Sequence, residues 1–108
     1  MADDIQLLVR RLIAGDAEAH ARVTALARTG TAPTLLVAAA LVGDDGDELL
    51  ARAAATATTT RDRQLVAIAA AHLDHDSDRL DALVRDHLAD HPDSLLAAWV
   101  ASLQRRSP

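Results

Sequence analysis

Between Thr60 and Trp99 the chain carries two helical patterns of similar length, separated by an acidic turn and followed by a proline. The apolar residues of both patterns recur three and four positions apart, which is the spacing of one face of an α-helix. Similar signals occur along the whole chain, and alternate predicted helices begin near residues 4, 33, 62 and 93. Paired helices that recur at a fixed period of about 30 residues are typical of an α-solenoid.

Seven helices are predicted from apolar spacing, capping residues, glycines and prolines. They span residues 4–14, 17–28, 33–42, 47–58, 61–73, 77–90 and 92–105. The third is apolar on nearly all sides, and we place it centrally because a helix without a polar face must be covered. We predict an all-α fold, with antiparallel helix pairs in a short α-solenoid. We expect one domain over residues 1–108, with pairs at 4–32, 33–61 and 62–92 and a terminal helix at 93–106.

Several helix starts are assigned to particular side chains. Asp3, Asp16 and Thr59 stand where an N-cap is needed, and either Asp44 or Asp45 is expected to cap the fourth helix. Pro92 is predicted to begin the seventh helix, because proline suits the first turn.

The composition supports helices and excludes several functions. Half of the residues are hydrophobic but only 1% are aromatic, and alanine, the best helix former, dominates. The absence of cysteine excludes disulfides and thiolate metal sites. A formal charge of -5 without a basic stripe argues against nucleic acid. The longest apolar run, Leu35–Val42, is far shorter than the ~20 residues that span a bilayer. With an acidic N-terminus unlike a signal peptide, these features predict a cytoplasmic protein that does not bind membranes.

Part of the chain resembles a tetratricopeptide repeat. The residues concerned are Leu65–Leu73, the acidic turn, Leu80–Val84 and the stop at His91–Asp93. They are similar to divergent bacterial relatives of tetratricopeptide repeat protein 38. The turn after Ala14 is like the glycine turn inside such a repeat, whereas the best repeat has a histidine in place of that glycine.

The resemblance implies binding of a protein or peptide without catalysis. In repeats of this kind the odd-numbered helices line the inner face, and small residues there leave room for a partner segment. On this basis we predict partner contacts at Gln64, Ala71 and His72 in the fifth helix and at Ala98 and Ser102 in the seventh.

The most polar cluster is the turn at residues 72–78. Its aspartates match the first three ligands of a calcium loop, but Arg79 stands where that loop needs glycine. A zinc site built on His72, His75 and Asp76 would need ligands from elsewhere in the chain. Capping by the acids of the turn is the simpler interpretation. We therefore predict no metal and keep the three residues as an alternative metal site.

No catalytic motif is recognised in the sequence. His87 and His91 are four residues apart but lack the glutamate of a zinc-protease helix, and His87 falls on an apolar stripe that should face the core. Gly43 and Gly46 lack the lysine of a phosphate loop, and no serine has the context of a nucleophile. We predict that the protein is not an enzyme and has no cofactor.

Trp99 is the only aromatic residue. We predict that it packs in the core and closes the last helix onto the fifth and sixth. That helix has no successor in these residues, and its outer face carries little polarity. The alternative function is therefore a structural homodimer that assembles through the last helix, with Leu96, Trp99, Val100 and Leu103 at the interface.

Overall fold

Seven helices make up the part of the chain that the structure describes, and no strand occurs there. The computed structural model describes the backbone of residues 2–43 and 45–106 and the side chains of residues 5–43 and 45–104. The helices are α1 (Ala2–Ile13), α2 (Ala17–Ala27), α3 (Pro33–Val42), α4 (Gly46–Thr56), α5 (Thr60–Leu73), α6 (Ser77–Asp90) and α7 (Leu95–Arg106). The predicted all-α class is confirmed, and the bounds agree within two residues except at the start of α7.

Helix α3 lies at the centre of the fold, as its apolar sequence predicts. Its side chains from Leu35 to Ala40 are at most 6% exposed, and the helix contacts α1, α2, α4 and α5. The short side chains of Ala38 and Ala40, both fully buried, let neighbouring helices approach closely. Little of α3 is left to solvent because these four helices pack around it.

The first and last helices of the chain meet. Each helix contacts the next one, and the odd-numbered helices also contact each other in series, α1 with α3, α3 with α5 and α5 with α7. A further contact between α7 and α1 closes this series. The radius of gyration, 12.6 Å, is close to the ~13 Å expected for a compact chain of this length. The closure places the end of α1 beside α7, where the candidate site lies.

Two turns of the chain have the same structure although they lie far apart in sequence. Gly15, between α1 and α2, has φ 91°, and His75, between α5 and α6, has φ 58°. The next residues, Asp16 and Asp76, donate their backbone N–H to the carbonyl five positions earlier, at 3.0 and 3.1 Å. Both aspartates also cap the following helix. His75 therefore has the left-handed conformation that glycine usually supplies at the end of a helix.

Replacing His75 with glycine is expected to stabilise the protein. A residue with a Cβ in the left-handed region costs about 1–2 kcal/mol. Glycine removes this cost, but its greater conformational entropy in the unfolded chain cancels part of the gain. We expect His75→Gly to raise the free energy of unfolding by about 0.5–1 kcal/mol, measured by urea titration. Asp74→Gly is the control, because Asp74 has φ -80° and gains nothing from glycine. Equal effects of both substitutions would contradict the interpretation.

Most of the predicted caps that the structure can test are present. Asp16 accepts from two backbone N–H groups of α2, at 2.9 and 3.3 Å, and Thr59 accepts from one in α5 at 3.1 Å. The prediction for Asp45 is wrong in one respect. It stands at the start of α4 but makes no capping hydrogen bond through its side chain. Asp44 and the side chain of Asp3 lie outside the described residues.

The predicted start of α7 at Pro92 is also wrong. The helix begins at Leu95, after a turn in which the N–H of Ser94 donates to the carbonyl of His91 at 3.1 Å. The proline lies in the turn and not in the first turn of the helix. This later start leaves Ser94 at the junction between α6 and α7, where its side chain is 3% exposed.

Candidate functional site

A groove lies beside Trp99, on the side of α7 that meets α1. It consists of two cavities that share Trp99 as a wall. The first, of about 270 Å³, is lined by Leu95, Ala98 and Ser102 of α7 and by Ile13, the last residue of α1. Residues 95, 98 and 102 are three and four positions apart, so they lie on one face of α7.

The second cavity is larger, about 390 Å³, and is also lined by Trp99. It is formed by the ends of α1 and α3, the turn after α1 and the first turn of α2. Its lining residues are Leu12, Gly15, Asp16, Ala17, His20, Val42 and Trp99. The two cavities together are called the Trp99 groove below. Three odd-numbered helices contribute to it, and it exists because α7 returns to α1.

The walls of the Trp99 groove are mainly apolar, and Asp16 is the only formally charged residue among the described lining residues. Its carboxylate accepts from Arg11 Nε at 2.9 Å and pairs with the same guanidinium at 2.8 Å. The hydrogen bond from Arg11 and the backbone donors of α2 lower the pKa of Asp16. These contacts favour the charged form of Asp16.

Two of the predicted partner-contact residues line the Trp99 groove, and three do not. Ala98 and Ser102 lie in the first cavity. Ala71 is fully buried, and Gln64 is hydrogen-bonded inside the protein. His72 is half-buried at the end of α5. A role in partner binding stays a prediction for all five, and the proposal below depends on Ala98 and Ser102.

A buried hydrogen-bonded network joins α5, α6 and the start of α7. His87 is fully buried, which confirms that it faces the core. Its Nδ1 lies 2.7 Å from Gln64 Oε1, and its Nε2 lies 3.0 Å from Ser94 Oγ. Since the amide oxygen can only accept, Nδ1 carries the proton and Nε2 accepts from the serine hydroxyl. In the sequence, the only signal for this network is a histidine on an apolar stripe.

The same order of groups, an acceptor, an imidazole and a hydroxyl, occurs in sites that activate a nucleophile. Here the hydroxyl has little access to a substrate, because Ser94 is 3% exposed. The cavity that it lines has a volume of about 20 Å³, enough for roughly one water molecule. We therefore assign the network a structural role, as a connection between three helical segments. The absence of catalysis stays a prediction.

Burial lowers the pKa of His87, because the charged imidazolium would lose its hydration. Electrostatic interactions with His91 and Arg61 lower this pKa further, whereas Asp90 and Asp93 raise it. Burial also lowers the pKa of His72, and His75 adds to the effect.

The residues of the alternative metal site do not form a cluster. Among the described residues, no group of three or more histidine, aspartate or glutamate side chains is placed to hold a metal ion. The carboxylate of Asp76 accepts from the backbone N–H of Arg79 at 3.2 Å and so caps α6. This is the capping role that the sequence favours for the acids of this turn.

The residues of the predicted dimer interface have different surroundings. Leu96 and Val100 lie in the protein's own core, at 3% and 1% exposure. Trp99 and Leu103 are partly buried. Trp99 packs against the core, as expected, but the groove beside it is formed with α1, α2 and α3, not with α5 and α6. Dimer formation itself stays a prediction.

Another cavity, of about 230 Å³, lies between α2, α3 and α4. Charged residues of both signs line it, including Arg28, Glu48 and Arg52. Arg52 donates to the carbonyls of Ala27 and Gly30 at 2.8 and 2.7 Å. Because these bonds hold α4 against the end of α2, Arg52 is part of the structure and is not free to bind a ligand.

The chain matches no protein-family model, no curated protein and no solved structure at a significant level. In residues 2–43 and 45–106, no helix has both the length and the apolar character needed to cross a bilayer. A cytoplasmic location stays a prediction.

Proposed function

We propose that this protein is a non-catalytic module for protein–protein interaction, of the tetratricopeptide-repeat-like type, and that it binds a peptide segment in the Trp99 groove. The observation that carries the proposal is the groove itself. Odd-numbered helices supply most of its walls, and in repeats of this type the odd-numbered helices face the partner.

The proposal includes a short α-solenoid of antiparallel helix pairs. Two observations support it. The turns at Gly15 and His75 have the same backbone geometry and hydrogen bonds, and positions 15 and 75 are 60 residues apart, twice the period of about 30. The odd-numbered helices also contact each other in series, as stacked repeats do. In this proposal α1 and α7 cover much of the inner face by contacting each other, and the Trp99 groove is the part that stays open to a partner.

The shape and lining of the groove suit a peptide side chain better than a reactive substrate. Its larger cavity, about 390 Å³, falls in the usual size range of ligand pockets. Small side chains at Ala98 and Ser102 leave the surface of α7 open to a second backbone. An apolar groove between helices is the ordinary receptor for an amphipathic segment.

Filling the groove is expected to weaken peptide binding without unfolding the protein. Peptides selected from a random library for binding to the native protein are titrated against Ala98→Phe, which places a large side chain in the first cavity. Because Ala98 is exposed, the substitution should cost little stability. We expect a loss of affinity of tenfold or more, equal to about 1.4 kcal/mol. Emission from Trp99, the only tryptophan, provides the measurement.

The matched control is Ala82→Phe, which makes the same change at an exposed position of α6. This variant should bind the selected peptides as the native protein does. The proposal fails if the library yields no binder, or if the selected peptides bind the Ala98→Phe variant as tightly as the control.

A further inference from the structure

We infer that the occupant of the Trp99 groove is a basic amphipathic helix, which places its apolar face along α7 and a lysine or arginine in the larger cavity. This inference rests on the proposed function and adds the chemistry of the partner. Its grounds are the shape of the groove, the charges around the larger cavity and the presence of Trp99 in the lining of both cavities.

The shape of the groove favours a helix. Leu95, Ala98 and Ser102 lie on one face of α7 at the spacing i, i+3, i+7, and two of them are small. A stripe of this kind lets another helix approach closely along its length. An extended strand would need an exposed sheet edge for its backbone hydrogen bonds, and the described part of the chain is helical without strands.

The charge near the larger cavity is negative. Asp16 is the formally charged residue in its lining, and its carboxylate oxygens already accept from Arg11 and from two backbone N–H groups of α2. Arg11 pairs with Asp16 at 2.8 Å and lies 3.8 Å from Glu18, so these three side chains carry a net charge of -1 (one cation and two anions). The net charge of the whole chain, -5, has the same sign.

The end of α3 adds to this negative potential. Val42 is the last residue of the helix and lines the cavity. The C-terminus of a helix carries a partial negative charge, which a basic residue in the last turn often compensates. The last turn of α3 contains no basic residue. A cation from a partner would therefore lie near both a carboxylate and Val42 at the end of α3, whereas Arg28 and Arg52 line a separate cavity with Ala39 and Gly43.

Trp99 suits the larger cavity to a lysine or arginine, because the indole can interact with both the aliphatic part and the charged group of such a side chain. Indole is the aromatic ring that attracts a cation most strongly, and a partly desolvated site increases the effect. The aliphatic part of lysine or arginine can also cover apolar surface while its charge remains hydrated. A single side chain could thus contact Trp99 and lie near Asp16, because both line the larger cavity.

The test uses two synthetic peptides of about four helical turns. They carry the same leucines at helical spacing and differ only on the polar face, which is lysine in one and glutamate in the other. Neither contains tryptophan, so the emission of Trp99 reports binding. We expect the lysine peptide to bind the native protein at least about tenfold more tightly than the glutamate peptide. The difference should shrink as salt is added, because salt screens exposed charges.

Two matched variants locate the attraction. Asp16→Asn removes the charge but keeps a good capping side chain for α2, and Asp86→Asn removes the same charge from an exposed position of α6. We expect the lysine peptide to bind the Asp16→Asn variant about threefold more weakly, within the usual range for a surface ion pair. The Asp86→Asn variant should bind it as the native protein does.

Four results would overturn the inference of a basic occupant. Equal affinity for both peptides, tighter binding of the glutamate peptide, or no binding of either peptide overturns the basic occupant. Equal losses in Asp16→Asn and Asp86→Asn also overturn it, because the attraction would then come from the net charge alone. The proposed function is decided separately, by whether the library-selected peptides lose affinity for the Ala98→Phe variant.

Discussion

Replacing His87 with alanine is expected to lower the free energy of unfolding by about 3 kcal/mol. The substitution removes a fully buried ring and leaves a cavity in its place, which is the costly type of core change. It also leaves Gln64 Oε1 and Ser94 Oγ without the imidazole that now bonds to both. A buried polar group without a partner costs about 1–3 kcal/mol. Urea titration followed by circular dichroism measures the change.

Two further variants distinguish the loss of the His87 hydrogen bonds from the general effect of substituting a histidine. His91→Ala removes a neighbouring ring, whose centroid is 5.0 Å from that of His87, but His91 is only half-buried. Its loss should cost about 1 kcal/mol or less, as most surface changes do. His87→Gln can restore one of the two hydrogen bonds and should fall between the alanine variants. If His87→Ala costs no more than His91→Ala, the network does not hold the three segments together.

The helices could be predicted from the sequence because their signals are local. Apolar spacing, glycines and capping side chains act within one or two turns, so the predicted helix starts at Ala17, Pro33 and Ser77 agree with the structure. The central position of α3 followed from its lack of a polar face. The turn at His75 was harder, because a histidine at a glycine position can be recognised only through the repeat and not through its own propensity.

The candidate site could not be predicted to the same degree, because it depends on contacts between distant segments. Gln64 and His87 are 23 residues apart, and they meet only when α5 and α6 pack in the correct register along their axes. The groove at Trp99 depends on the contact between α7 and α1. Amphipathic helix pairs bury their apolar faces equally well in an open array or a closed one, so the sequence pattern did not specify the closure. Ala98 and Ser102 were identified because the resemblance placed them on an odd-numbered helix.

The free energy of unfolding is expected to fall as the pH is lowered below about 6.5, the ordinary pKa of histidine. Burial is the largest cause of the lowered pKa of His87 and of His72. Between the lowered pKa and about 6.5, the unfolded chain therefore binds more protons than the folded chain. Stability is fully present above this range and decreases as the pH falls through it, by at most about 1.4 kcal/mol per pH unit for each group.

Urea titrations between pH 5 and 7.5 measure this dependence, and variants that cannot titrate assign it. His87→Gln should be less stable than the native protein at pH 7.5, but its stability should depend less on pH. The double substitution His72→Gln/His87→Gln should remove more of the slope than either single change, because both histidines are proposed to contribute. An unchanged slope in the double variant would show that other groups cause the loss. Since Gln64 and Ser94 can both accept a hydrogen bond from the imidazolium, the cost of protonation lies in burying the charge and not in breaking the network.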